Sequence, residues 1–126
     1  MTIESATPVF RSGDYQRARA FYTESLGFRC AEEAGNPTGF GIFIRDKARV
    51  FVEAYSGPEA PYKRWRAYFH VDDFDAIVRE LEGKGVPFSS PPTVTEYGMR
   101  EVEVTDPDGN VLCFGADTET DGPGAA

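Results

Sequence analysis

The chain is poor in the residues that most often carry chemistry: its 126 residues include one histidine, two cysteines, one tryptophan and two methionines. Cys30 and Cys113 stand far apart, with no metal-like spacing to each other or to His70, which argues against a disulfide scaffold or a Cys/His metal cluster. With one histidine and no Ser or Cys motif beside it, there is no nucleophile–base pair. Neither Gly-x-Gly-x-x-Gly nor a phosphate loop occurs. Basic residues are scarce, 13 Lys plus Arg against 21 Asp plus Glu for a net charge of −8, so a protein that tracks a phosphate backbone or lies on an anionic membrane is not expected. No apolar stretch approaches the ~18 residues of a membrane span. The opening Met1-Thr-Ile-Glu-Ser-Ala-Thr7 has neither a basic leader nor an apolar h-region, and the chain reads as cytoplasmic.

What is present is bulk. Ten Phe, six Tyr and an apolar fraction of 40% supply a real core, and the length is that of one domain. The negative charge is unevenly spread. Residues 1–56 hold seven acids and seven bases, residues 57–115 eleven acids and six bases, and residues 116–126 three acids alone. The last segment has no bulky apolar residue and reads as a flexible acidic tail.

The body repeats one pattern twice, over about residues 5–55 and 65–115. In the first half an extended run over 6–12 leads to Asp14, which opens a helix with Ala18, Phe21, Tyr22 and Ser25 at i, i+3, i+4 and i+7, closed by Leu26-Gly27. Strand-like runs follow at 28–32, 39–44 and 49–55, the last two joined at Asp46-Lys47. Ser56-Gly-Pro-Glu-Ala-Pro61 reads as a linker. The pattern then restarts with an extended run over 65–71, a cap at Asp73, and Phe74, Ile77, Val78 and Leu81 on one helix face, closed by Gly83 or Gly85. A short run at 86–88, a loop over Ser89–Gly98, a strand at 101–105, the turn Asp106-Pro-Asp-Gly-Asn110 and a strand at 111–114 complete it. Each half is a βαβββ unit with a helix on one sheet face. The other face must be covered or enclose a cavity, and two such units facing each other would form a trough.

The sets Arg11-Ser-Gly-Asp14, Ala18-Arg-Ala-Phe-Tyr22, Leu26-Gly-Phe28, Phe69-His-Val-Asp-Asp73, Gly98-Met-Arg-Glu101 and Asp106-Pro-Asp-Gly-Asn110 together resemble the vicinal-oxygen-chelate superfamily, in its glyoxalase/bleomycin-resistance branch, over about residues 5–115. The resemblance implies an α+β fold of two βαβββ modules forming a concave, barrel-like sheet with helices outside. It also implies four metal-ligand positions in the metal-dependent members, which here are Thr7, Glu53, Arg66 and Cys113. Only Glu53 suits a hard divalent ion, and Arg66 brings a permanent positive charge. No metal and no cofactor are therefore expected. A site built on Glu53 and His70 remains the alternative, although His70 lies four residues beyond the family's histidine position, about 13 Å along a strand.

Strand parity on the family's cavity face selects Val9 and Arg11, then Phe51, Glu53 and Tyr55, then Arg66, Tyr68 and His70, with Glu101 and Glu103 joining if Val102 and Val104 face the helix. Aromatic faces among carboxylates suit a flat, cationic or amphipathic small molecule. The same residues also read as core and as a solvated strand face. Trp65 reads equally as a ring at the trough's rim and as a subunit contact. The 89–98 loop is a lid or an ordinary connection. Asp73 reads as a helix cap within the Asp72, Asp73, Asp75 cluster, and Cys113 as a buried apolar residue with a reactive thiol as the lesser alternative. The resemblance then implies a non-catalytic homodimer that sequesters a cationic or aromatic antibiotic-like ligand, without nucleic-acid or membrane partners. The alternative is a divergent metal-dependent lyase, isomerase or dioxygenase.

Overall fold

The structure, a computed structural model, describes residues 1–57 and 64–118. Most of the linker 56–61 and residues 119–126 of the expected tail lie outside them. The chain divides into two compact units, Met1–Ala60 and Pro61–Ala126, each taken here by itself.

In the first unit β1 (Val9–Ser12) leads into α1 (Tyr15–Ala20) and a π-helical turn, Phe21–Ser25, followed by β2 (Arg29–Gly35), β3 (Thr38–Arg45) and β4 (Ala48–Ala54). The sheet order is β1-β4-β3-β2, with β1 parallel to β4 and the other pairs antiparallel. A parallel pair needs a crossover, which the helix supplies. Asp14 caps α1 as its sequence position suggests, accepting from the Arg17 N–H at 3.2 Å. Gly27 takes φ +72 at the helix end, where a Cβ would be strained. Asp46 turns the β3–β4 hairpin with φ +51.

The expected single α-helix from Asp14 to Leu26 is not what forms. After Ala20 the chain widens, so that the Leu26 N–H reaches the Phe21 carbonyl at 3.1 Å and the Phe28 N–H the Tyr22 carbonyl at 2.9 Å. Packing accounts for the change. Tyr22 is fully buried, stacks on Phe10 at 5.8 Å, and meets Phe28 and Phe43 each at 6.1 Å. Val50 and Val52 of β4 complete this core.

The second unit repeats the plan with β5 (Trp65–His70), α2 (Phe74–Gly83), β6 (Ser90–Val94), β7 (Met99–Thr105) and β8 (Val111–Asp117) in the order β5-β8-β7-β6. Asp73 caps α2 through the Ala76 N–H at 3.0 Å, and the left-handed residue at its end is Gly85, φ +69. Phe74, Ile77 and Leu81 are buried on α2, as are Val102 and Val104 on β7 and Leu112 and Phe114 on β8. Phe69 stacks on Phe114 at 5.2 Å. Asp106 holds its turn by accepting from the Asp108 and Asn110 N–H groups, both at 2.9 Å.

Two expectations fail at the far edge. The run 86–88 forms no strand, and the expected 89–98 loop contains β6. Pro91 and Pro92 lack the N–H a central strand requires, but β6 is an edge strand, and its register slips between Ser90 and Thr93 where the prolines stand. β8 also runs on through Asp117. The α+β, two-module fold holds. Among the described residues the strands form two separate four-stranded sheets, not a closed barrel. No helix there is long and apolar enough to cross a membrane.

Candidate functional site

Each sheet buries one face under its helix, and the sequence-selected residues other than Arg66 are on the other. In the first unit the register pairs Val9 with Phe51 and Arg11 with Glu53, and sets Phe40 opposite Glu53 on the next strand. The Arg11 guanidinium lies 3.5 Å from the Glu53 carboxylate and 4.4 Å from the centre of the Tyr55 ring. Phe40 meets Phe51 edge-on at 5.3 Å. Glu53 thus already has a cationic partner. Phe40 was not among the residues the sequence selected, because the glycines around it in Gly39-Phe-Gly41 obscure which face of the strand it occupies.

The second unit carries the denser cluster. Trp65, Tyr68 and His70 form a ladder of rings along β5, with centroids 4.9 Å apart at both steps. Alternation expected Arg66 on this face. Instead the register jumps between Trp65 and Ala67, so Trp65 pairs with Val111 and Ala67 with Leu112. This bulge places Trp65 on the Tyr68 side and leaves Arg66 as the exposed extra residue. Across β8 stand Glu103, level with Cys113, and Glu101, level with Gly115.

Gly115 allows the central arrangement. A Cβ there would collide with the Tyr68 hydroxyl and ring, so the missing side chain lets the phenol cross β8. The Tyr68 hydroxyl then donates to Glu101 Oε2 at 2.9 Å. Tyr97, from the turn after β6, donates to both Glu101 oxygens at 2.8 and 3.0 Å. Glu101 is 6% exposed, and is therefore neither a solvated strand face nor an open lining residue. Tyr97 and Gly115 were missed from sequence. A tyrosine in a turn and a glycine in a strand acquire these roles only when the strands are in register.

Glu103 is used differently: its Oε2 accepts from the Trp65 indole N–H at 2.9 Å. Cys113 is fully buried between the two acids. Burial first, then the charges of Glu101 and Glu103, push its thiol up to about 12, so it is protonated and not a reactive thiolate. Burial and the Glu101 contact likewise raise Tyr68, which stays a donor. Both cysteines are free.

The four family ligand positions do not fit a divalent ion. Thr7 precedes β1, Glu53 is paired with Arg11, Arg66 is a cation, and Cys113 holds its proton. Among the described residues no group of three His, Cys, Asp or Glu could hold a metal.

The sequence model of the Glyoxalase/Bleomycin resistance protein/Dioxygenase superfamily matches residues 5–114. Among solved structures, the fold is similar to that of a bleomycin-binding protein complexed with bleomycin, at 24% identity, a TM-score of 0.77 and coverage of 91% of this chain and 99% of that one. It is similar also to a bleomycin resistance determinant encoded on the transposon Tn5, at 25% identity, TM-score 0.76 and coverage of 91% and 98%. A lactoylglutathione lyase from Agrobacterium tumefaciens shares the fold at 18% identity, TM-score 0.70 and coverage of 92% and 96%.

Proposed function

Because the chain belongs to the Glyoxalase/Bleomycin resistance protein/Dioxygenase superfamily, we propose that it is a non-catalytic small-molecule-binding protein of that superfamily. Its ligand is a cationic or aromatic antibiotic-like compound, held by stacking and charge and released unchanged. One observation carries this reading: the ring ladder Trp65–Tyr68–His70 shares a sheet face with the half-buried carboxylate of Glu103, while the buried Glu101 holds the Tyr68 phenol. The donor set at Thr7, Glu53, Arg66 and Cys113 supports it further, since it favours no metal chemistry. Likeness to the bleomycin-binding protein and the Tn5 determinant indicates which ligands to try first. We propose a homodimer, for which sedimentation should give twice the chain mass of 13.9 kDa.

Calorimetric titration with metal-free bleomycin and a panel of flat cationic drugs tests the reading. Binding in the micromolar range or tighter, about −8 kcal/mol or better, is expected for at least one of them. A panel without any such binding sinks the antibiotic claim.

A second reading, a divergent metal-dependent enzyme using Glu53 and His70, takes its support from the likeness to lactoylglutathione lyase. Metal analysis separates the two. Stoichiometric Ni, Zn, Fe or Mn that survives dialysis would favour the enzyme.

A further inference from the structure

The two acids on the second unit's sheet face away from α2 are not equivalent. Glu101 accepts from two phenols, the Tyr68 hydroxyl at Oε2 and the single Tyr97 hydroxyl shared between both oxygens, and is buried. Both oxygens face a phenol and the group is 6% exposed, so it is burial that closes Glu101 to a ligand. Burial first and then the contact with Glu101 raise Tyr68, the hydrogen bond to Glu101 first raises Tyr97, and both remain donors through the neutral range. Glu103 is half-buried and accepts one hydrogen bond, from Trp65 to Oε2; its Oε1 accepts none among the described residues. The neighbouring Cys113 thiol is neutral, and Arg100, the base within β7, is turned to the helix side against Asp75 and the Phe74 ring.

Trp65 stands beside that carboxylate with its orientation fixed twice, by the indole N–H bond to Glu103 and by the Tyr68 ring at 4.9 Å. It is 39% exposed, which leaves ring surface for stacking. A half-buried anion next to a pre-oriented indole is a matched pair of attractions for one chemical group: the carboxylate takes the charge, and the ring takes both the charge and the flat surface beside it.

We propose that Glu103, with Trp65 beside it, is the specificity-determining pair of this face, selecting a ligand that carries a positive charge on a flat aromatic ring system, while Glu101 is a positioning residue that locks Tyr68 and Tyr97. This rests on the binding reading above.

Trp65 is the chain's sole tryptophan, so its fluorescence reports occupancy directly. The probes are ethidium, a flat cation, and phenanthridine, its uncharged ring system. The wild type is expected to bind ethidium roughly 10-fold tighter than phenanthridine, the ratio that one charge-assisted contact of ~1.4 kcal/mol supplies. Glu103→Gln should remove that preference while changing phenanthridine affinity less than about threefold, and Glu103→Asp, which keeps the charge, should retain it. Glu101→Gln should weaken both probes by a similar factor and leave the preference in place. The pair assignment is overturned if Glu103→Gln keeps the preference, or if Glu101→Gln alone abolishes it; neither outcome touches the binding reading. If neither probe bound the wild type at about 100 μM, selection for a charged ring would be overturned whether or not the calorimetric panel found another ligand.

Discussion

A missing Cβ, a neutral thiol and a shifted ring shape the second unit's face. Gly115 lacks the Cβ that would stop the Tyr68 phenol from crossing β8. Cys113 lacks a charge because it is buried between Glu101 and Glu103, and the place next to Tyr68 on β5 that alternation assigned to Arg66 is taken by Trp65, level with Val111, through a bulge. Gly115→Ala should therefore act as an overpacking substitution whose strain falls on Tyr68 and its bond to Glu101. A loss of about 1–3 kcal/mol in urea unfolding is expected. The same variant should weaken any ligand that uses the Trp65 ring, since Tyr68 supports it. An unchanged urea midpoint would show that the phenol does not need the space over the glycine.

At the scale of elements, both helices begin on an aspartate whose side chain accepts from the third residue on, and both end near a glycine with positive φ. These ends were legible in the sequence because capping depends on residues a few positions apart. The helix interior after Ala20 was not. The i, i+3, i+4, i+7 spacing of Ala18, Phe21, Tyr22 and Ser25 fits an α-helix, yet the four-ring cluster around Tyr22 is served by a π-helical turn. β6 was hidden for a related reason, because its two prolines are tolerated only at a sheet edge. Asp73→Ala should cost about 1 kcal/mol by chemical denaturation through loss of the Ala76 N–H bond, and Asp73→Asn should recover most of it. Equal losses in the two variants would shift the explanation from the cap's hydrogen bond to its charge.

For the whole molecule, the groups most displaced from their ordinary values all resist losing a proton. Burial raises Cys113 to about 12, and burial with carboxylate contacts raises Tyr15, against Glu33, and Tyr68, against Glu101. A folded-state pKa above the unfolded one gives stability that is complete below the unfolded value and lost as pH rises toward the folded one. The unfolded thiol titrates near 9 and the phenols near 10. The urea midpoint should thus show little loss from these groups up to about pH 8.5 and fall from pH 9 upward, and Cys113→Ala should flatten the first part of that fall. Glu33 acts at the other end. Its pKa is lowered first by the Tyr15 hydrogen bond, so its contribution is present above the ordinary carboxylate value and is lost as pH falls below it.

The sequence by itself determined the repeat of two βαβββ units, their caps and turns, and the family, whereas the pairing of Glu53 with Arg11 is read only from the register of β1 on β4. The repeat, its caps and turns and the family follow from residue spacing along one strand or helix, or from motifs in fixed order. The sequence also left Glu53 as the one family ligand position that suits a hard divalent ion, because ligand hardness belongs to the residue type; that Cys113 holds its proton follows only from its burial. The tertiary structure alone decided that Trp65 joins the ring ladder, that Gly115 gives Tyr68 its path, and that Glu101 is buried against two phenols while Glu103 keeps an oxygen free among the described residues. Those facts depend on register across strands and on the one-residue bulge, which reverses a side chain's face without leaving a mark in the local pattern.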